Sequence, residues 1–211
     1  MQLIVNKELL GVMRSFNFYL IECSLKNNSM RPLFKLKEQG SLNKFAIERL
    51  FNKLSFNSVS PLIIDLCSKL SLLSVGIKES KYTTLKLYFE NAVDEFKIVS
   101  GSKKKVDHIF NIINDYSLQG LCALNLNKDN ESIIEKKIYF DIREEDVNKL
   151  DLNQRLLNAL PELMSFLNLP ESKVKKINST IELMSNKSIK LTCFGVDVNS
   201  DEIKLYFDDG K

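Results

Sequence analysis

Leu85-Lys86-Leu87-Tyr88-Phe89 reads as a short β-strand, and it returns twice downstream, as Lys136-Lys137-Ile138-Tyr139-Phe140 and as Ile203-Lys204-Leu205-Tyr206-Phe207. An acidic residue follows each string: Glu90, Asp141 and Asp208. A Lys-x-Tyr-Phe theme three times in 211 residues points to an internal repeat. Each string is preceded by a second strand-like stretch and a polar turn. Leu72 to Ile77 runs into Lys78-Glu79-Ser80-Lys81, Leu121 to Leu126 into Asn127-Lys128-Asp129-Asn130, and Leu191 to Val198 into Asn199-Ser200-Asp201-Glu202. Short strands parted by Asn, Asp and Ser predict antiparallel hairpins. Phe18 to Leu25, followed by Arg31-Pro32-Leu33-Phe34-Lys35-Leu36, predicts a further hairpin with a diverged second strand.

Between hairpins the apolar period changes from 2 to about 3.6 residues. Helices are predicted over Leu42 to Leu54, Pro61 to Leu70, Lys103 to Tyr116, Asn153 to Leu167 and Ser172 to Met184, with a short one over Lys7 to Phe16. The break near Leu169-Pro170 separates the last pair. The expected fold class is therefore α+β, with an antiparallel sheet of repeated helix–hairpin units and helices on one face. The whole chain, 1–211, reads as a single domain with hairpin units at about 16–37, 71–90, 119–142 and 188–208.

In a strand, residues i and i+2 share a face. Lys86 and Tyr88 thus share one face, and Leu85, Leu87 and Phe89 the other. The same split holds for Lys137 and Tyr139 against Ile138 and Phe140, and for Lys204 and Tyr206 against Ile203, Leu205 and Phe207. The apolar face needs a cover, which the amphipathic helices supply. The Lys/Tyr face points either to solvent, in an open sheet, or into the lumen of a barrel or partly open barrel with helices outside. In the second case lysines and tyrosines converge on one interior. Ammonium groups are tolerated there only beside water or an anion.

Composition sets the outer limits. With 44% hydrophobic and 27% charged residues the chain can bury a core. The net charge of +3 carries no bulk nucleic-acid signature. No apolar run is long enough for a membrane span, and no signal peptide is read at the N-terminus. Cys23, Cys67, Cys122 and Cys193 match no zinc spacing and are expected to be buried, reduced thiols in a cytoplasmic protein. The single histidine, His108, is expected at a helix surface or boundary.

The helix–hairpin order with its three Lys-x-Tyr-Phe strings resembles the ABBA-fold prenyltransferases, and among them the peptide prenyltransferases of cyanobactin biosynthesis. Glu22-Cys23-Ser24-Leu25-Lys26 with Arg31-Pro32-Leu33-Phe34-Lys35-Leu36 also carries the likeness, as does Gly195-Val196-Asp197-Val198 followed by Glu202 to Phe207. The resemblance implies transfer of a dimethylallyl-type group from an allylic diphosphate to a side chain of a peptide, a cyclic one in that branch. It implies a diphosphate site at Arg31, Lys35, Lys86, Lys137 and Lys204. It implies a carbocation shield at Tyr88, Tyr139 and Tyr206, and an acceptor-orienting base at Glu22. Mg²⁺ at the diphosphate belongs to the same branch, although no aspartate-rich motif is present and no metal ligand is assigned. The family builds five units; four hairpins are counted here, so a fifth unit is expected to be missing. A homodimer through the sheet edges would follow from an unclosed sheet. The alternative is a non-catalytic relative that binds a peptide, an isoprenoid ligand or a protein partner.

Overall fold

Among the described residues, period-two alternation becomes eight strands, and the period-3.6 stretches become six of seven helices. The computed structural model describes residues 7–26, 29–37, 42–56, 59–69, 72–78, 84–90, 93–127, 132–141 and 149–208. In chain order these form α1 (Lys7–Ser15), β1 (Phe18–Lys26), β2 (Ser29–Leu36), α2 (Lys44–Lys53), α3 (Pro61–Lys69), β3 (Leu72–Lys78) and β4 (Thr84–Glu90). They continue with α4 (Val93–Ser100), α5 (Lys103–Asp115), β5 (Gln119–Asn127), β6 (Ile133–Asp141), α6 (Lys149–Phe166), α7 (Glu171–Ser185), β7 (Lys190–Asp197) and β8 (Ile203–Asp208). The strands make one sheet in sequence order, β1-β2-β3-β4-β5-β6-β7-β8. The fold class is thus α+β with an eight-stranded antiparallel sheet. The order begins at β1 and ends at β8, and among the described residues no ladder joins those two.

The chain divides into two compact units, Met1–Ala92 with Cys122–Lys136, and Val93–Leu121 with Lys137–Lys211. In the first unit, Leu85, Leu87 and Phe89 of β4 are fully buried, together with Phe18, Phe34 and Val75 from β1, β2 and β3. Burying each such side chain stabilises the unit by about 1.5–3 kcal/mol. Helix α2 contributes Ile47, Leu50 and Phe51 to the buried set. Its N-cap is Asn43, whose Oδ1 accepts the Ala46 N–H at 2.9 Å, filling one of the orphan donors of a helix start.

In the second unit, α5 buries Val106, Ile109, Phe110, Ile112 and Ile113. From α6 come Leu156, Ala159, Leu160, Leu163 and Met164. Phe140 of β6 stacks on Phe194 of β7 with ring centroids 4.3 Å apart. His108 is exposed on α5 and stacks on Phe166 at 3.8 Å. Lys97 of α4 pairs with Asp94 at 2.9 Å and with Asp107 of α5 at 2.5 Å. Helix α4 is not among the helices expected from the sequence. It is eight residues long, and Phe96 and Val99 are two of its three buried positions, too few turns for a period to stand out. Helix α6 starts at Lys149, four residues before the predicted start at Asn153.

Cys67 and Cys122 are buried, and burial pushes both thiols up from the ordinary 9.0. Cys193 is half-buried, which departs from the expectation of a fully buried thiol. The Cys23 side chain lies outside the described ones. No described helix is long and apolar enough to cross a membrane.

Candidate functional site

A β-bulge recurs at one place in the β1–β2, β3–β4 and β7–β8 hairpins. The register shifts between Leu20 and Glu22 in β1, between Leu72 and Ser74 in β3, and between Leu191 and Cys193 in β7. A bulge adds a residue to one strand and bends it, re-aiming the residues beyond. Past the bulge the pairing is the same each time. Glu22 lies opposite Leu33 and Ser24 opposite Arg31; Ser74 lies opposite Tyr88 and Gly76 opposite Lys86; Cys193 lies opposite Tyr206 and Gly195 opposite Lys204. By register, Arg31-Pro32-Leu33-Phe34 therefore occupies the place of Lys86-Leu87-Tyr88-Phe89 and of Lys204-Leu205-Tyr206-Phe207. A cation stands in each copy, and a residue no larger than serine faces it. In the first hairpin Leu33 replaces the tyrosine.

Cross-strand partners share a face, so each unit carries its own Lys/Tyr face. In the first unit, β2, β3 and β4 align two rows. One runs Lys35, Ser74, Tyr88; the other runs Leu33, Gly76, Lys86, with Glu22 next to Leu33 on β1. The Lys86 Nζ lies 4.9 Å from the centroid of the Tyr88 ring, within the range of an attractive cation–π contact. Both residues and Lys35 are half-buried, whereas Ser74 is buried. Glu22 and Arg31 are placed by their register alone, because their side chains lie outside the described ones.

In the second unit the rows run Lys137, Asp197; then Tyr139, Gly195, Lys204; then Cys193, Tyr206. Lys137 is 3% exposed and Asp197 4%, while Tyr139 is 5% and Tyr206 40% exposed. A Cβ built on Gly195 would come within 2.8 Å of Tyr139 Cε1. The tyrosine ring thus lies on the bare glycine. That placement brings it to 5.9 Å from the Tyr206 ring, centroid to centroid, tilted by 53°, a favourable aromatic separation. Asp197 Oδ1 accepts the N–H groups of Asn199 and Ser200, each at 3.0 Å. This ties the carboxylate into the β7–β8 turn. Lys105 of α5 braces the same turn, donating to the Val198 carbonyl at 2.8 Å and pairing with Asp201.

Two small aromatic and cationic faces thus exist, one per unit. They gather Lys35, Lys86 and Tyr88 in the first and Lys137, Tyr139, Lys204 and Tyr206 in the second. Ser24, Gly76 and Gly195 are positions that the sequence did not single out as part of these faces. A signal for two of them was present: Ser74-Val75-Gly76-Ile77-Lys78 and Cys193-Phe194-Gly195-Val196-Asp197 share a small–apolar–Gly–apolar–charged pattern. The described residues hold no group of three His, Cys, Asp or Glu side chains that could bind a metal ion. No family model, curated protein or solved structure matches the chain.

Proposed function

We propose that the chain is a prenyltransferase that moves a dimethylallyl-type group from an allylic diphosphate to a side chain of a peptide natural product, a cyclic one as in the branch that its repeats resemble. The observation that carries the reading is the meeting of Tyr139 and Tyr206 beside Gly195, with Lys204 opposite that glycine and Lys137 on the same face. Lysine ammonium groups suit a diphosphate, and tyrosine ring faces suit an allylic cation. In the reaction the allylic C–O bond breaks and its electron pair leaves with the diphosphate. A nucleophilic atom of the acceptor bonds to the allylic carbon and gives up its proton to a base. Glu22 takes that role in the proposal, and its register row also holds Lys86. Arg31, Lys35, Lys86, Lys137 and Lys204 stabilise the departing charge; Tyr88, Tyr139 and Tyr206 shield the cation from water. A barrel with helices outside is the architecture this reading carries with it. Mg²⁺ would assist departure of the diphosphate, as in the branch that the repeats resemble, and no residue of the chain is assigned to it.

A second reading has one observation in its favour. Lys137 and Tyr139 are buried to 3% and 5% exposure, as they would be in a non-catalytic relative whose interior is filled by its own side chains. Calorimetric titration with a non-hydrolysable dimethylallyl diphosphate analogue, with and without Mg²⁺, separates a built donor site from a filled interior, and transfer from dimethylallyl diphosphate to a peptide then separates the transferase from a relative that only binds the isoprenoid. Saturable micromolar binding that Lys137→Ala and Lys204→Ala each weaken supports the built donor site. No binding to a folded protein supports the non-catalytic relative.

A further inference from the structure

The first unit also holds a cavity of about 490 Å³ between the end of α1 and the start of α2. Its size is that of a small-ligand pocket. Arg14, Ser15, Phe16 and Asn17 line it from the α1 side, and Leu42, Asn43, Phe45, Ala46 and Arg49 from the α2 side. Two arginines line this space, and among the described lining residues none is acidic. The polar chemistry is dominated by donors. Arginine only donates. Asn43 has committed its Oδ1 to the Ala46 N–H, which leaves the Nδ2 protons to donate. Ser15 is the exception, because its hydroxyl proton goes to the Val12 carbonyl at 2.7 Å and its oxygen is left as an acceptor.

The apolar part is equally defined. Phe45 is 67% exposed, a large cost for an aromatic ring left in water. Arg49 lies over that ring, its Cζ 5.9 Å from the centroid. That separation is within the range of a cation–π contact, and a guanidinium can recognise an oxyanion by bidentate hydrogen bonds. Phe16 and Leu42 complete an apolar wall next to these donors.

We infer that this cleft binds a small organic oxyanion, a phosphate monoester or a carboxylate carried on an aromatic or apolar stem. Arg14 and Arg49 hold the oxyanion, and the stem lies against Phe45. None of its lining residues belongs to the proposed diphosphate site, and the inference stands whether or not that reading does.

The test is calorimetric titration of the full chain with phenyl phosphate, benzoate, inorganic phosphate and benzyl alcohol. Phenyl phosphate or benzoate should bind saturably, more weakly as salt is raised, and the tighter of the two identifies the oxyanion. Arg14→Ala and Arg49→Ala should each reduce affinity about tenfold, the scale of a lost charge-assisted hydrogen bond. Lys44→Ala should change nothing, because Lys44 is outside the lining and is paired with Asp65 at 2.8 Å. Lys204→Ala should also leave affinity unchanged. The inference is overturned if neither anion binds in the millimolar range, or if benzyl alcohol binds as well as both. It is equally overturned if Lys204→Ala removes binding while Arg49→Ala does not. All three positions changed in α1 and α2 are exposed, so circular dichroism of each variant should match the parent.

Discussion

Tyr139 and Gly195 face each other across the β6–β7 ladder, and the ring occupies the space that any side chain at Gly195 would need: the absent Cβ would be 2.8 Å from Cε1 and 2.9 Å from Cδ1. The glycine is thus a seat for the ring rather than a hinge. On β3, Gly76 faces Lys86 in the matching register, but there a Cβ would meet its nearest neighbours at 3.6 Å, an ordinary contact.

This difference predicts opposite outcomes for the same substitution. Gly195→Ala should displace the Tyr139 ring and cost about 1–3 kcal/mol, the usual range for overpacking. Gly76→Ala should stay within about 1 kcal/mol of the parent, with the reduced freedom of the unfolded chain in its favour. Chemical denaturation measures both. The chain contains six tyrosines and no tryptophan, so near-ultraviolet circular dichroism reads the tyrosine environment directly. An unchanged spectrum in Gly195→Ala would place the ring elsewhere.

The two faces of β6 can be told apart by exchanging one hydroxyl. Phe140 is fully buried and stacked on Phe194. Phe140→Tyr should destabilise by about 1–3 kcal/mol, because it brings a hydroxyl into an apolar stack. Tyr139→Phe keeps the ring and should change affinity for the diphosphate analogue more than Phe140→Tyr does. The opposite ranking in affinity would mean that the apolar face, not the Lys/Tyr face, meets the ligand.

Lys97 links α4 to α5, and its pH response has a defined sign. Its hydrogen bonds to Asp107 and then Asp94 hold the ammonium above its ordinary 10.5, against a lesser opposing effect of burial. The hydrogen bond from Lys97 holds the Asp94 carboxyl below its ordinary 3.8. A raised lysine value stabilises fully below 10.5 and is lost as pH rises through the folded value. A lowered carboxyl value stabilises above 3.8 and is lost as pH falls through the folded value. The Tm gap between the parent and Lys97→Met should therefore be widest between these limits and should shrink beyond each. A gap independent of pH would mean that the lysine acts through packing alone.

Thiol alkylation at neutral pH should rank the described cysteines. Cys193 is half-buried, whereas Cys67 and Cys122 are buried with their thiols pushed up by desolvation. Only the thiolate reacts, so peptide mapping after a short exposure to iodoacetamide should find Cys193 labelled before the other two. Early labelling of Cys122 would require that β5 opens readily.

Several parts of this fold were legible in the sequence because they depend on near neighbours. Leu85, Leu87 and Phe89 alternate with Lys86 and Tyr88, and the structure buries the first set and half-exposes the second. Pro170 caps α7 at the place where the sequence broke the pattern. The equivalence of Arg31 with Lys86 and Lys204 was not legible. Leu33 stands where the tyrosine would be, and each bulge adds a residue whose presence only the pairing reveals. The apolar side of β8 also departs from expectation. Ile203, Leu205 and Phe207 are only half-buried, because β8 ends the strand order and has a strand neighbour on one side alone.

The sequence by itself determined where the strands, their turns and most of the helices lie, and which side of each strand is apolar, since those properties follow from a repeat of two or 3.6 residues within one segment. Only the tertiary structure decided which members of the Lys/Tyr pattern are enclosed. Lys137 and Tyr139 are buried while Tyr206 is 40% exposed, although the three belong to the same motif. Burial is set by what the neighbouring strands place opposite, such as Gly195 beneath Tyr139, and that register joins residues far apart in the chain.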